Sequence, residues 1–247
     1  PAGLLDTYTG AAAAYSLRVL TRNWLAGDVV EVRRVNTPAT ASFTANQISN
    51  GELATWSLSG DAFVSKWYDQ SGNGKDAVQA ATTDQPKIVS SGTLVAGGIN
   101  FDGTDDSLDH TTSPTQAFYV FAYYQTSVND SPVVGADGTN GGVGATIARR
   151  STGSYIQFAG TVSSDGVHGD DAKIASALFD NSNSEAYWNS VKILDGDSGT
   201  NTNIKRIGGN GPSRFTGTIG EVIIYNSDQS ASRAGIETNM NAAYSTY

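Results

Sequence analysis

The chain has 247 residues, a formal net charge of -9 and no cysteine. An acidic surface repels phosphate backbones and anionic headgroups, so neither nucleic-acid binding nor membrane insertion is expected. Disulfides, cysteine-held zinc and thiol catalysis are excluded outright, and no apolar run approaches the roughly 20 residues that cross a bilayer.

Helix formers are scarce, while Gly, Ser, Thr, Asn and Asp are plentiful, a composition that suits many strands joined by turns. Charged residues make up only 16% of the chain, which implies a surface rich in hydroxyls and amides. The chain begins at Pro1 and its one methionine is Met240, which reads as a start that was processed or cut from a longer polypeptide.

In chain order, Thr9 to Thr21 comes first. It is rich in alanine and leucine, with Ala13, Leu17, Leu20 and Trp24 near one face, and reads as a short helix of about 10 residues. Asp28 to Val35 is β-branched and reads as a strand with Val30 and Val32 turned inward. A polar connection, 36–50, leads to a strand at Ala62 to Tyr68, which ends in Asp69-Gln-Ser-Gly-Asn-Gly74, a tight-turn cluster. Further strands are expected at 85–90, 94–101, 117–126, 144–149, 154–159, 173–180, 184–194, 204–207 and 217–225. Both alternating sets of residues 118–123 are apolar, so that strand is expected to be buried on two sides. Residues 185–194 read as a hairpin turning at Asn189-Ser190. The segment 160–172 is the loosest. Ser230 or Ser232 is expected to cap a final helix carrying Ile236, Met240 and Ala243 on one face. No internal repeat or long linker divides the chain, so 1–247 reads as one domain.

Several strings invite a functional reading. In Asp69 to Gly74, Asp69, Gln70 and Asn73 are candidates for sugar hydrogen bonds, but turn closure with Gly72 and Gly74 at positive φ accounts for the same residue types. Asp102, Asp105 and Asp106, with Asp109 nearby, are candidate calcium ligands. Their spacing is not that of an EF-hand loop, aspartates capping a turn explain them equally, and no cofactor is required. His110 and His168 read as solvated loop residues. No Gly-x-Ser-x-Gly elbow is present, which leaves a serine triad without its usual context. The glycine-rich loop 135–144 lacks the lysine of a phosphate-binding loop. Tyr155, Tyr187 and Trp188 lie in strand-like segments near turns and are candidates for stacking against a sugar face.

Three pieces together resemble the catalytic domain of the glycoside hydrolase family 54 α-L-arabinofuranosidases. They are the segment Ala11 to Leu20 leading into Val30-Glu-Val-Arg-Arg34, the string Trp67-Tyr-Asp-Gln-Ser-Gly-Asn-Gly74, and Ile207-Gly-Gly-Asn210 before Gly217 to Tyr225. Phe101-Asp-Gly-Thr-Asp-Asp-Ser-Leu108 and Gly220-Glu-Val-Ile-Ile-Tyr225 look like laminin-G-type domains. The opening Leu4 to Leu17 resembles domains of marine phage structural proteins and bacterial surface proteins. These resemblances imply an all-β, two-sheet concanavalin A-like jelly-roll sandwich with short N-terminal and C-terminal helices.

The family resemblance also implies a general acid, an Asp directly after a Gly-Gly pair, and a Glu nucleophile well upstream. Position 210 is Asn, which cannot donate a proton as an acid, and no Glu falls between 53 and 184. The adjacent cysteines of the family's sugar pocket are absent. The leading expectation is therefore a non-catalytic, lectin-like module of a virion or cell surface. It would bind a cell-surface glycan or contact other surface subunits, possible copies of itself included, with Tyr155, Tyr187, Trp188, Gly209 and Asn210 as contact candidates. The alternatives are a structural capsid or tail decoration module, and a glycoside hydrolase or polysaccharide lyase with a rearranged site.

Overall fold

The computed structural model describes residues 2–137, 144–149, 155–160, 162–165 and 173–247, with the backbone alone at 155–158 and 162–165. The first sheet is built from β1 (Ala11–Ser16), β10 (Phe118–Gln125), β15 (Lys173–Phe179), β16 (Ser184–Trp188), β17 (Val191–Gly196) and β21 (Thr216–Tyr225), in the antiparallel order β1-β21-β10-β15-β16-β17. The second contains β2 (Asp28–Arg34), β3 (Ala39–Thr44), β4 (Ala62–Trp67), β5 (Ala77–Val78), β9 (Leu108–Asp109), β11 (Ser131–Gly135), β12 (Thr146–Arg149), β13 (Tyr155–Phe158), β14 (Val162–Asp165) and β18 (Arg206–Ile207). Its order is β3-β2-β4-β5-β9-β18-β11-β12-β13-β14. The strands β6 (Lys87–Ser90), β7 (Thr93–Leu94) and β8 (Ile99–Asp102) join the layers: β6 pairs with both β4 and β8, and β8 pairs with the first half of β21. A small hairpin, β19 (Gly209–Asn210) with β20 (Ser213–Arg214), stands apart. This is an all-β, jelly-roll-like sandwich.

One hydrophobic cluster fills the space between the sheets, with Val30, Val64 and Trp67 from one and Val120, Ala177 and Val222 from the other. A second cluster lies on the outer face of the first sheet, where Tyr119, Phe121, Ile223 and Tyr225 meet Leu4, Ile236 and Met240. The expectation for residues 118–123 therefore holds. Strand β10 is buried on both faces because the helices α1 (Leu4–Thr7) and α4 (Arg233–Tyr244) cover the outer one.

The helix expected over Thr9 to Thr21 is corrected. Residues Ala11–Ser16 form β1, and the N-terminal helix is only the turn Leu4–Thr7. Alanine's helix preference is a fraction of a kcal/mol per residue. It is outweighed by pairing with β21 and by burial of alternate residues in both clusters, Ala13 and Tyr15 in one and Ala14 in the other. The connection 36–50 holds β3 and α2 (Ala45–Ser49), followed by α3 (Glu52–Trp56). The hairpin at Asn189-Ser190 is present, both residues having positive φ. In α4, Ile236 and Met240 are buried as expected, but Ala243 is exposed and Glu237 is buried instead. Ser232 precedes this helix without a side-chain cap bond.

Two buried glutamates fasten α4 and β21. Glu221 accepts from Ser16 Oγ, from Arg18 Nε and a second Arg18 nitrogen, and from Tyr244 Oη. Glu237 accepts from Ser176, Ser190 and Arg233. The 69–74 turn is a latch on β1. Asp69 accepts from the backbone N–H of Ala14, Ser71 and Lys75, Gln70 bonds Leu20, Ser16 and Arg18, and the Asn73 amide donates to the carbonyls of Ala11 and Ala12. Gly72 and Gly74 have the positive φ that the turn demands. The polar side chains of this string are thus spent on the fold.

Candidate active site

The outward face of the second sheet follows from its register. On the core side, Phe43, Val30, Trp67, Ala77, Leu108, Ile207 and Val134 are all buried. Their neighbours one residue away point outward. Paired positions then run Ser42, Glu31, Lys66, Val78, Asp109, Arg206 and Gly135 across seven strands. Phe63 and Tyr68 flank this row, Phe63 beneath the charges of Arg33 and Lys87, and Tyr68 beneath Lys66. The row is a polar strip with aromatic borders.

Towards its β11 end the row carries a charge pair. Asp109 and Arg206 face each other on β9 and β18 and form a two-bond ion pair of 2.6 and 2.7 Å. Arg214 lies beside them. Burial holds its guanidinium below the usual arginine range, the nearby Arg206 adds to this, and Asp109, Asp84 and Asp105 oppose it. Asp137, two residues beyond Gly135, is within electrostatic range of Arg206.

The loop from β8 to β9 brings three carboxylates to this corner. Asp102, Asp105 and Asp106 each offer an oxygen, all within 4.8 Å of one another. The Asp102 carboxylate accepts from Thr104 N–H, and Asp106 accepts from Asp102 N–H. Asp106 is 6% exposed. Its carboxyl is pushed up to about 7, by burial first, with repulsion from Asp102, Asp105 and Asp84 added and the Asp102 N–H opposing. It therefore keeps a proton part of the time near neutral pH, when an ordinary carboxyl has lost its own. The candidate calcium ligands do converge as a set, and they supply three of the six to eight oxygens that calcium takes.

The other candidates are dispersed. Asn210 is buried, and its Oδ1 accepts from the backbone N–H of Ala136 and Gly144, at 3.0 and 2.7 Å. Gly209 is buried in the β19-β20 hairpin, where a Cβ would come within 2.9 Å of the Ser213 carbonyl. Trp188 is in the core and not on the surface, its Nε1 donating to Tyr124 Oη, because its position in β16 alternates inward. Tyr187 lies on the outer face of the first sheet under the Arg233 guanidinium, 3.7 Å away, and donates to Glu185. Tyr155 belongs to β13, opposite Arg149 and Asp165, and its side chain lies outside the description. His168 and the glycine-rich 138–143 also lie outside the described residues.

His110 departs from the expected solvated loop residue. It is buried beside Tyr15, its Nδ1 accepts from Thr112 N–H, and burial first, with Lys205 second, depresses its pKa to about 3. The residues missed by sequence reasoning are Arg206 and Arg214, which come to the carboxylates only through strand pairing and the β19-β20 hairpin.

No family model matches the chain, and no curated protein matches it. Solved structures do resemble it. A family 54 α-L-arabinofuranosidase soaked with a cyclic sulfate inhibitor superimposes with a TM-score of 0.72 at 14% identity, over 98% of this chain and 64% of that one. An arabinofuranosidase complexed with arabinofuranosyl-α-1,2-xylobiose gives 0.71 at 16% identity, over 98% and 65%. A Trypanosoma rangeli sialidase gives 0.51 at 17% identity, over 72% and 31%. The chain thus spans a little under two thirds of the arabinofuranosidases it matches. At these identities the likeness establishes the β-sandwich. The expectation of a non-catalytic, lectin-like virion module is corrected by it, since these neighbours are glycoside hydrolases that handle carbohydrate.

Proposed function

We propose that the chain is a glycoside hydrolase domain with a rearranged site, in which Asp106 is the proton donor and Asp105 the partner carboxyl group. One observation carries the reading: three carboxyl groups converge beside Arg214, and one of them, Asp106, is buried with its pKa pushed up to about 7. Hydrolysis of a glycosidic bond needs this asymmetry, an acid to protonate the leaving oxygen and an ionised carboxylate to attack or to activate water. Among the described residues, the Asp102 carboxylate accepts from Thr104 N–H, while the Asp105 carboxylate makes no hydrogen bond. The lone pairs of Asp105 are thus available. Oxygens no farther apart than 4.8 Å leave no room for the water that inverting enzymes hold between carboxyls about 6.5–9.5 Å apart, so the retaining mechanism is the one that applies. In that mechanism Asp105 forms a bond to the anomeric carbon as Asp106 gives its proton to the departing oxygen. Water deprotonated by Asp106 then releases the sugar.

Arg214 and the Asp109–Arg206 pair set the field at this corner, and the strip bordered by Phe63 and Tyr68 offers a surface for a chain of sugars. The neighbours' substrates direct the choice of probes: 4-nitrophenyl α-L-arabinofuranoside, arabinoxylan and a sialoside. Release of reducing sugar or nitrophenol is expected from at least one, with a loss of 100-fold or more in Asp106→Asn and in Asp105→Asn. Absence of release from every probe, or release that both variants retain, overturns the proposal.

A further inference from the structure

A cleft lies along β1, and it shares no residue with the carboxylate corner. Its volume is about 410 Å³, and it is lined by Asp6, Thr9, Gly10, Asn23, Trp24 and Ser71 among others. That size suits one or two sugar rings. Trp24 is its aromatic wall. The indole is fixed from behind, because its Nε1 donates to the Asp28 carbonyl and the Gly27 backbone lies so close that a Cβ there would fall 2.7 Å from Nε1. A rigid, half-buried indole offers an apolar plane to the C–H face of a pyranose or furanose ring.

Polar groups surround that plane. The Asp6 carboxylate is occupied by Thr21 Oγ1 and by the backbone N–H of Gly3 and Arg22, so it adds a fixed wall more than a free charge. Thr9 and Asn23 are exposed, and among the described residues their side chains make no hydrogen bond to another side chain across the cleft. A Cβ built on Gly10 or on Gly72 meets nothing within 4 Å, so the rim is open to a ligand. An aromatic plane ringed by a hydroxyl and an amide, with no uncompensated charge, is matched by a neutral sugar.

We infer that this cleft is a non-catalytic binding site for a neutral saccharide, holding glycan at a distance from the carboxylates. The site is independent of the hydrolase reading. It is tested by calorimetry and saturation-transfer NMR with arabino-, xylo- and gluco-oligosaccharides, on the intact chain and on Asp106→Asn, which removes any turnover. Binding is expected in both proteins. It is expected to weaken at least tenfold in Asn23→Ala and in Thr9→Trp, which fills the cleft from an exposed position and leaves the core untouched. Binding to none of the three series, or binding that neither variant weakens, overturns the inference. Hydrolysis without such binding would remove this site alone, and binding without hydrolysis would remove the catalytic proposal alone.

Discussion

The side chain of Asn210 occupies the space that a side chain at position 135 would need: a Cβ built on Gly135 falls 2.5 Å from the Asn210 Cβ. Gly135→Ala is therefore expected to destabilise the fold by about 1–3 kcal/mol through overpacking, read as a lower urea midpoint. Asn210→Asp, which restores the acid implied by the family resemblance, is expected to leave activity unchanged. The two backbone N–H groups now bonded to Oδ1 would favour the ionised form and hold the new carboxyl below the ordinary range. Carbon-13 NMR titration of that carboxyl would show a pKa of 5 or higher if this account is wrong.

Asp106 and His110 predict opposite pH limbs. The folded pKa of Asp106 is raised, from 3.8 to about 7, so its contribution is present below pH 4 and is lost as pH rises through 7. Asp106→Asn is expected to be more stable than the parent at pH 8, by about 2–4 kcal/mol, and little changed at pH 4. The folded pKa of His110 is depressed, from 6.5 to about 3, so stability is full above pH 6.5 and falls as pH drops towards 3. His110→Phe is expected to flatten that acid limb. Denaturation curves between pH 3 and 9 check both signs, and parallel profiles for variants and parent would refute them.

Arg18 neutralises a carboxylate that has no water to turn to, Glu221 being fully buried. Arg18→Ala is expected to cost about 3–5 kcal/mol, because a buried charge is left uncompensated. Adding Glu221→Gln should return part of that loss. A double-mutant cycle in urea measures the coupling, and simple additivity would show that the pair is not a unit.

Asp69→Ala removes the acceptor for three backbone N–H groups and the Ser71 hydroxyl at once. A loss of about 3 kcal/mol or more is expected, since buried donors left unpaired cost about 1–3 kcal/mol each. Hydrogen exchange at Ala14 should accelerate well before that of β10. Equal protection of both would mean that the latch does not hold β1.

Much of the sandwich was legible from turn residues and β-branched runs. The double burial of β10 could be read from Phe118 to Tyr123 because both faces are apolar. The strand at Ala11–Ser16 could not, because alanine carries no strand signal and only the partner, β21, decides the outcome. Two-residue strands such as β5 and β9 are too short for any periodicity, yet they set the outward row. The aspartates of the candidate site stood out in the sequence as a group. Their chemistry did not, because the upward shift of Asp106 comes first from burial, which only the folded chain supplies, with repulsion from the neighbouring Asp102 and Asp105 and then from Asp84 added. Trp188 misled for the converse reason, since one residue of register separates a surface ring from a core one.

Among the described residues, strand β1 has a ladder partner on one side only, β21. On its other side, Ala14 exchanges hydrogen bonds with the Asp69 side chain and the Gln70 backbone, while Asn73 covers the carbonyls of Ala11 and Ala12. A turn here does the work of a neighbouring strand. It removes the row of unsatisfied groups on which a foreign chain could build, so the most distinctive string in the sequence also protects the molecule from strand addition and aggregation at its N-terminal border.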